Sequence, residues 1–98
     1  MACKIIWSEI ALEDYNRIVI YLMASWPISV ASDFVGIVNK KLDNLSQQPL
    51  VGIMSQKNPA IRSILFTPHN RLYYQINENV IELLAIVDTR SNPKMNPF

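Results

Sequence analysis

Three arginines in the last third of the chain have the clearest potential for chemistry. Arg62, Arg71 and Arg90 each lie at the beginning or end of an apolar run that has the composition of a β-strand. Arginine forks can bind phosphate oxygens with two hydrogen bonds and stabilise the charge that builds up at phosphorus. We therefore expect the three guanidinium groups to meet in one cleft, where they would contact a phosphodiester or a macromolecular target.

Proton transfer at such a cleft would need further side chains. Tyr73 and Tyr74 follow Arg71 in the same predicted strand, and His69 lies in the turn before it. Tyrosine and histidine can donate or accept a proton when they are held within reach of the reacting atoms. The structural alternative is that the arginines solvate the sheet edge, the tyrosines pack across strands and the histidine only forms the turn.

Other kinds of site are not indicated. The sequence has no glycine-rich phosphate loop and no cysteine–histidine cluster with metal-ligand spacing, so we expect neither a cofactor nor a metal. Cys3 is the only cysteine, which agrees with a reducing compartment, and it has only His69 as a base. The carboxylates Glu9, Glu13 and Asp14 lie on the polar side of a predicted helix, where we expect them to be solvated.

The composition predicts one domain, residues 1–98, with more apolar surface than a single small core hides. Half of the residues are hydrophobic and only 17% are charged, so we expect a partner to cover part of that surface. The net charge of +1 argues against binding nucleic acid by bulk electrostatics, although the basic surplus lies in the second half. No run reaches membrane-spanning length and no signal peptide is evident, so we expect a cytoplasmic protein without membrane contact.

The hydrophobic pattern of the first half predicts a strand and two helices. Residues 4–7 are typical of a short strand, and Ser8 is placed to cap the helix that follows. Apolar residues then recur at helical spacing to about Ser25, and Pro27 marks a tight corner. A second amphipathic helix should run to about Leu45. The two helices are expected to form a hairpin with one apolar side.

The second half predicts a loop and then a meander. Residues 46–57 contain a proline, a glycine and several polar residues, which is typical of a long loop from helix to sheet. The runs IRSILF, RLYYQI and VIELLAIV then predict three strands joined by tight turns. The last run is apolar on both faces, as in a central strand, with Leu83 on one face and Ile86 on the other. The tail after Arg90 should lie over the surface or be partly disordered.

These elements together predict an α+β fold. It consists of an N-terminal strand, a helical hairpin and a three-stranded antiparallel meander, with the helices packed on one face of the sheet. Alternation in the middle strand of the meander puts Arg71 and Tyr73 on one face and Leu72 and Tyr74 on the other. Because the hairpin can cover only one face, the second face is left for a ligand or another chain.

The order and spacing of the segments resemble the RelE/ParE superfamily, the toxins of bacterial type II toxin–antitoxin pairs that are also called plasmid stabilisation proteins. The resemblance covers nearly the whole chain and rests on IIWSEIALEDYNRIVIYL, LDNLSQQPLVG, IRSILF, RLYYQI and VIELLAIVDTRSNP. The shared pattern is a Trp-Ser pair before the first helix, L-x(3)-P-x-x-G between the second helix and the meander, R-x-x-Y in the meander and a final R-x-x-P.

The resemblance implies a growth-inhibiting toxin of one of two kinds. RelE-like members cut messenger RNA in the ribosome with basic residues and a tyrosine on the sheet, and this mRNA interferase activity is our first expectation. The alternatives are a ParE-like poison of DNA gyrase without nuclease activity, or an inactive protein-interaction module of the same fold. A cognate antitoxin should lay a helix or strand on the apolar surface, as a hetero-oligomer, and a homodimer is a further expectation.

Carried onto this sequence, the resemblance implies a catalytic set of Arg62, Arg71, Tyr74 and Arg90. Arg71 and Tyr74 match the R-x-x-Y pattern, and Arg90 matches the arginine after the last strand. Two positions depart from the nuclease pattern. Ile64 lies where RelE-like nucleases carry a lysine, and Asn96 lies where their catalytic tyrosine is expected.

Overall fold

The computed structural model, which describes residues 2–98, consists of a five-stranded mixed sheet with a helical hairpin on one face. The elements are β1 (Lys4–Trp7), α1 (Glu9–Ser25), α2 (Ile28–Gln47), β2 (Ile53–Met54), β3 (Ile61–Thr67), β4 (Asn70–Asn77) and β5 (Val80–Asp88), with 3₁₀ helices at Pro49–Val51 and Pro93–Met95. The strand order is β1-β5-β4-β3-β2, in which β1 runs parallel to β5 and the other neighbours are antiparallel. The predicted α+β class, hairpin and meander are confirmed.

The first helix begins and ends where its sequence signals lie. The Ser8 hydroxyl accepts a hydrogen bond from the Ala11 amide at 3.0 Å, as an N-cap does, and donates to the Leu84 carbonyl at 3.1 Å. The cap therefore also ties α1 to β5. At the other end, Pro27 precedes α2 and the chain turns sharply after Ser25. None of the helices within residues 2–98 is long and apolar enough to cross a membrane.

The core lies between the helical hairpin and one face of the sheet, which we call the helical face. It contains Ala11 of α1, Phe34, Val38, Leu42 and Leu45 of α2, and Phe66, Leu72, Tyr74, Ile81, Leu83 and Ile86 of the sheet. Side chains alternate along β4, so Arg71, Tyr73 and Gln75 lie on the opposite side, which we call the open face. The predicted division of β4 between two faces is correct.

A β-bulge interrupts the alternation along β5. The consecutive residues Tyr73 and Tyr74 pair with Ala85 and Leu83, so one residue of β5 between these partners is extra. Leu83 and Ile86 are consequently both buried in the core. The prediction that these two side chains lie on opposite faces is wrong. A strand that is apolar on both faces has no polar residue that would mark the shift in register.

The amide beside the bulge is satisfied by a carboxylate from α1. Asp14 Oδ2 accepts a hydrogen bond from the Ile86 amide at 2.9 Å, and its other oxygen pairs with Arg17. Asp14 is only 9% exposed, so the expectation of a solvated carboxylate is wrong for this residue. A buried polar group of this kind must keep its partner, because an unpaired one is costly.

The segment 46–57, predicted as a loop, is more ordered than expected. The helix α2 continues to Gln47, one 3₁₀ turn follows at Pro49–Val51, and β2 joins the edge of β3. Ser46 fixes the end of α2 to the first strand, because its hydroxyl donates to the Cys3 carbonyl and its own carbonyl accepts from the Cys3 amide, both at 2.9 Å. We call residues 49–52 the joint.

The C-terminal residues return across the open face. The ring of Phe98 stacks on Tyr73 with centroids 5.1 Å apart, and the Asn96 side-chain amide donates to the Tyr73 hydroxyl at 2.9 Å. Ser55 and Lys57 donate to the carbonyl oxygens of Phe98 and Asn96, respectively. The tail therefore lies over the part of the sheet next to Tyr73.

Candidate functional site

Tyr74 is fully buried on the helical face and holds the joint. Its hydroxyl donates to the Pro49 carbonyl at 2.7 Å and accepts from the Gly52 amide at 3.0 Å. Burial raises the pKa of the Tyr74 phenol, while the Gly52 amide and the nearby Arg62 oppose that rise. The phenol is therefore protonated at neutral pH, and both its donor and an acceptor site are already used within the fold.

The glycine of the joint is required by the closeness of this phenol. A Cβ atom at Gly52 would lie 2.4 Å from the Tyr74 hydroxyl oxygen and 2.9 Å from the Ser63 carbonyl oxygen. Such distances are far below van der Waals contact, so a larger residue would displace Tyr74 or β3. The final glycine of L-x(3)-P-x-x-G thus has a packing reason.

Arg62 also contacts the joint. It lies opposite Tyr74 in the sheet, and its Nη1 atom donates to the Gly52 carbonyl at 2.9 Å and to the Leu50 carbonyl at 3.3 Å. These bonds engage the Nη1 donors of Arg62 within the fold. Arg62 and Tyr74 are therefore brought together, but around the backbone of the joint.

Arg71 lies on the open face and reaches towards the outer edge of β3. Its Nη1 atom donates to the Ser63 hydroxyl at 2.9 Å, and the side chain is half-buried. It lines a cavity of about 590 Å³ between β3 and the end of α2. Tyr73 follows on the same face, covered by Phe98.

Arg90 forms an exposed pair with Asp88 at the end of β5. Its Nε and Nη2 atoms donate to the two carboxylate oxygens at 3.0 and 2.8 Å. Hydrogen bonds from Arg90 lower the pKa of the Asp88 carboxyl from 3.8 to about 2, and the same pair raises the pKa of the Arg90 guanidinium. Arg90 lines a second cavity, separate from the one beside Arg71.

The pair gives a direct pH prediction. We expect the Asp88 carboxyl to titrate at about 2 and to return towards 3.8 in Arg90→Ala, as followed by NMR of its side-chain carbon. Because the pKa is lowered in the folded state, the contribution to stability is complete above the unfolded value and is lost as the pH falls through about 2. A wild-type Asp88 midpoint near 3.8 would contradict the pairing.

The structure does not bring the three arginines into one cleft. Arg62 bonds to the joint, Arg71 lines the cavity beside β3, and Arg90 lines the cavity at the hairpin end of the sheet. The three guanidinium groups were predicted to converge because side chains at the ends of neighbouring strands often lie close together. The carbonyl acceptors of the joint could not be recognised from residue type. Within residues 2–98, no three histidine, cysteine, aspartate or glutamate side chains lie close enough to hold a metal ion.

The sequence pattern did not indicate a further feature, a largely apolar cavity of about 860 Å³, which we call the hairpin groove. It lies between the corner of the helical hairpin and the turn that joins β3 to β4. Its apolar and aromatic lining residues are Ile18, Tyr21, Leu22, Trp26, Val30, Phe34 and Ile37. The polar and charged residues that also line it are Arg17, Asp33, Thr67, His69, Asn70, Asp88 and Arg90.

The corner of the hairpin beside the groove exposes large apolar side chains. Ile20, Trp26 and Ile28 are 66%, 55% and 67% exposed. Large apolar side chains exposed together on a small protein are typical of a surface that binds a partner. This exposed apolar surface could have been predicted from the sequence, since residues 18–32 contain no charged residue although they include the turn between two helices.

Solved structures with a similar fold include two chains from toxin–antitoxin systems and one bacterial toxin. A chain of the chromosomal ParDE system from P. aeruginosa has a TM-score of 0.73 at 17% identity, over 89% of this chain and 96% of that chain. A chain of the RelBE2 toxin–antitoxin complex from Mycobacterium tuberculosis has 0.64 at 17%, over 90% and 99%. A mutant of the E. coli toxin RelE in the free state has 0.63 at 19%, over 92% and 86%. At these identities the likeness concerns the fold alone.

The family comparison carries the assignment. No curated protein sequence matches this chain significantly. The family model described as the ParE toxin of the type II toxin–antitoxin system parDE matches residues 5–93. This span runs from β1 to the last 3₁₀ helix and includes the joint and all four predicted site residues. The chain therefore belongs to the ParE toxin family of type II toxin–antitoxin systems.

Proposed function

We propose that this toxin inhibits growth by binding DNA gyrase and that it does not cut RNA. The observation that carries the proposal is the dispersal of the nuclease candidates. Tyr74 is buried with its hydroxyl bonded to the joint, and Arg62 bonds to the same backbone. Only Arg71 of the predicted set remains on the open face.

Cleavage of RNA on the open face would need more than the one arginine, Arg71. Attack by a 2′-hydroxyl requires a proton acceptor, a proton donor and a group that stabilises charge at phosphorus. On the open face, Glu82 accepts a hydrogen bond from Gln75 at 2.8 Å, and the Tyr73 hydroxyl is bonded to Asn96. His69 lies at the hairpin groove, in a different cavity from Arg71. The arrangement favours a toxin that acts by binding.

An antitoxin is the second part of the proposal. The wall of the hairpin groove and the exposed corner beside it carry large apolar side chains, the kind of surface on which an amphipathic helix docks. We propose that a helix of the cognate antitoxin covers this surface in the neutralised complex. Covering it would also account for the apolar surplus of the composition.

The experiment that tests the target is controlled expression in a bacterium, in which growth, the DNA-damage response and the integrity of messenger RNA are measured. We expect growth arrest with induction of the DNA-damage response, intact messages, and rescue by the small gene next to the toxin gene. Messages cut within codons in a ribosome-dependent way would contradict gyrase as the target. Harmless expression of folded protein would contradict a toxin of either kind.

Ribosome-dependent mRNA cleavage is the second candidate, and one observation favours it. Arg71 and Tyr73 lie on the same face of β4, where a guanidinium and an aromatic ring could contact a phosphate and a base. The ring is covered by Phe98, which an RNA strand would have to displace. Mapping of RNA ends during the arrest separates this candidate from the first.

A further inference from the structure

The cavity beside Arg71 combines two cations with no carboxylate. It has a volume of about 590 Å³ and lies between β3 and the end of α2. Lys41 of α2 and Arg71 of β4 both line it, and its lining contains no aspartate or glutamate from residues 2–98. Neither cation forms an ion pair with a carboxylate in that part of the chain. The cavity therefore offers two positive charges that no neighbouring carboxylate balances.

Hydrogen-bond donors for an anion come from a side chain and from the backbone. The Nη1 atom of Arg71 donates to the Ser63 hydroxyl at 2.9 Å, which holds the guanidinium in place and leaves its Nε and Nη2 groups for a ligand. The backbone groups of Ile61 bond towards the side of β2. Every second residue of a strand repeats that direction, so the Leu65 amide points to the same side, beyond the part of β3 that β2 covers.

The rest of the cavity lining is partly aliphatic and partly made of amide side chains. The aliphatic residues are Leu45, Val51, Ile53, Ile64 and Leu65, and the amide residues are Asn44, Gln47 and Gln48. Aliphatic side chains can pack against the faces of a planar ring. An amide has both a donor and an acceptor, the combination that matches the edge of a base such as adenine. The volume of the cavity lies in the range of small-molecule sites, about 300–1,000 Å³.

We propose that this cavity binds a free nucleoside monophosphate, with its phosphate between Lys41 and Arg71 and its base among the aliphatic and amide side chains. A phosphate monoester carries a charge of about −1.5 to −2 at neutral pH, which two cations balance. Each phosphodiester of a nucleic-acid strand carries only one negative charge. The charge of the site therefore fits a free nucleotide better than the backbone of RNA or DNA. The inference does not depend on the proposed target of the toxin.

The first test removes one of the two cations. We expect isothermal titration calorimetry of the isolated toxin with adenosine 5′-monophosphate to show saturable binding. Lys41→Ala should weaken it about tenfold or more, because a hydrogen bond to a charged group is lost. Lys40→Ala is the matched control, since Lys40 is exposed on the same helix and does not line the cavity, and its Kd should equal that of the wild type. Absence of saturable binding to the wild type, or equal affinities of the two variants, would overturn the proposal.

The second test compares ligands that lack one part of the nucleotide. Adenosine has no phosphate, and an oligoadenylate without a terminal phosphate has only diesters, so we expect each to bind about tenfold or more weakly than the monophosphate. An oligoadenylate that binds as tightly as the monophosphate would overturn the free nucleotide as the ligand. Inorganic phosphate that binds as tightly would overturn the contacts to the base.

The third test locates the ligand by NMR. The backbone amide of Leu65 should shift on titration with adenosine 5′-monophosphate, whereas the amide of Ile20, at the hairpin corner and outside this cavity, should not. Saturable binding that shifts Ile20 and leaves Leu65 unchanged would overturn the assignment of the cavity. Growth arrest by the toxin is measured separately, so failure of the nucleotide site leaves the proposed action on gyrase standing.

Discussion

Replacing Tyr74 with alanine should lower the free energy of unfolding by about 3–5 kcal/mol, the range for large aromatic residues truncated in a core. Tyr74 is fully buried, and its hydroxyl joins the Pro49 carbonyl to the Gly52 amide. Truncation would leave a cavity and two unpaired backbone groups. Urea denaturation followed by circular dichroism measures the change, and the slope with urea shows whether unfolding stays two-state.

Two further variants separate packing from hydrogen bonding. Tyr74→Phe keeps the ring and should cost about 1–3 kcal/mol, because the Gly52 amide loses its acceptor. Tyr73→Phe is the matched control on the open face, where the hydroxyl bonds only to Asn96, and its cost should be smaller. A Tyr74→Phe protein with wild-type stability but without toxicity would contradict the structural role and restore Tyr74 as a residue that contacts the target.

Placing a carboxylate at the hairpin corner should strongly weaken neutralisation by the antitoxin. We expect Trp26→Glu to raise the Kd of the complex by about 30-fold or more, since a buried tryptophan at an interface is commonly worth about 2 kcal/mol or more. Trp26 is 55% exposed in the free toxin, so the substitution should leave the fold intact. Calorimetry with the purified antitoxin and rescue of growth on co-expression are the two measurements.

The matched control for this prediction is Ile10→Glu. Ile10 is an exposed apolar residue on the same hairpin, but it does not line the groove. Its replacement should change the Kd less than twofold. Neutralisation of the Trp26→Glu toxin at wild-type affinity would show that the antitoxin binds elsewhere.

Much of the fold could be predicted because its signals are local. The Ser8 cap, the corner at Pro27 and the alternation along β4 each depend on a few neighbouring residues, and all are found as expected. The bulge in β5 and the parallel pairing of β1 with β5 depend on contacts far apart in the sequence. A run that is apolar on both faces has no polar residue to mark a shift of register.

The site was harder to predict for a related reason. The partner of Arg90 is two residues away, and a D-x-R sequence beyond a strand end could have indicated it. The acceptors of Arg62 and Tyr74 are backbone carbonyls of the joint, which any residue type provides. Residue identity therefore indicated which side chains could bind an anion, but not which of them the fold had already engaged.

The two tryptophans lie in different surroundings, and this gives the protein an optical reporter of its own. Trp7 packs against Tyr15 with ring centroids 5.1 Å apart, whereas Trp26 lies at the solvent-exposed corner of the hairpin. Tryptophan fluorescence of a Trp7→Phe toxin would come from Trp26 alone. Its emission should shift to shorter wavelength when another protein shields the indole from water, so that complex formation can be timed by stopped flow without a dye.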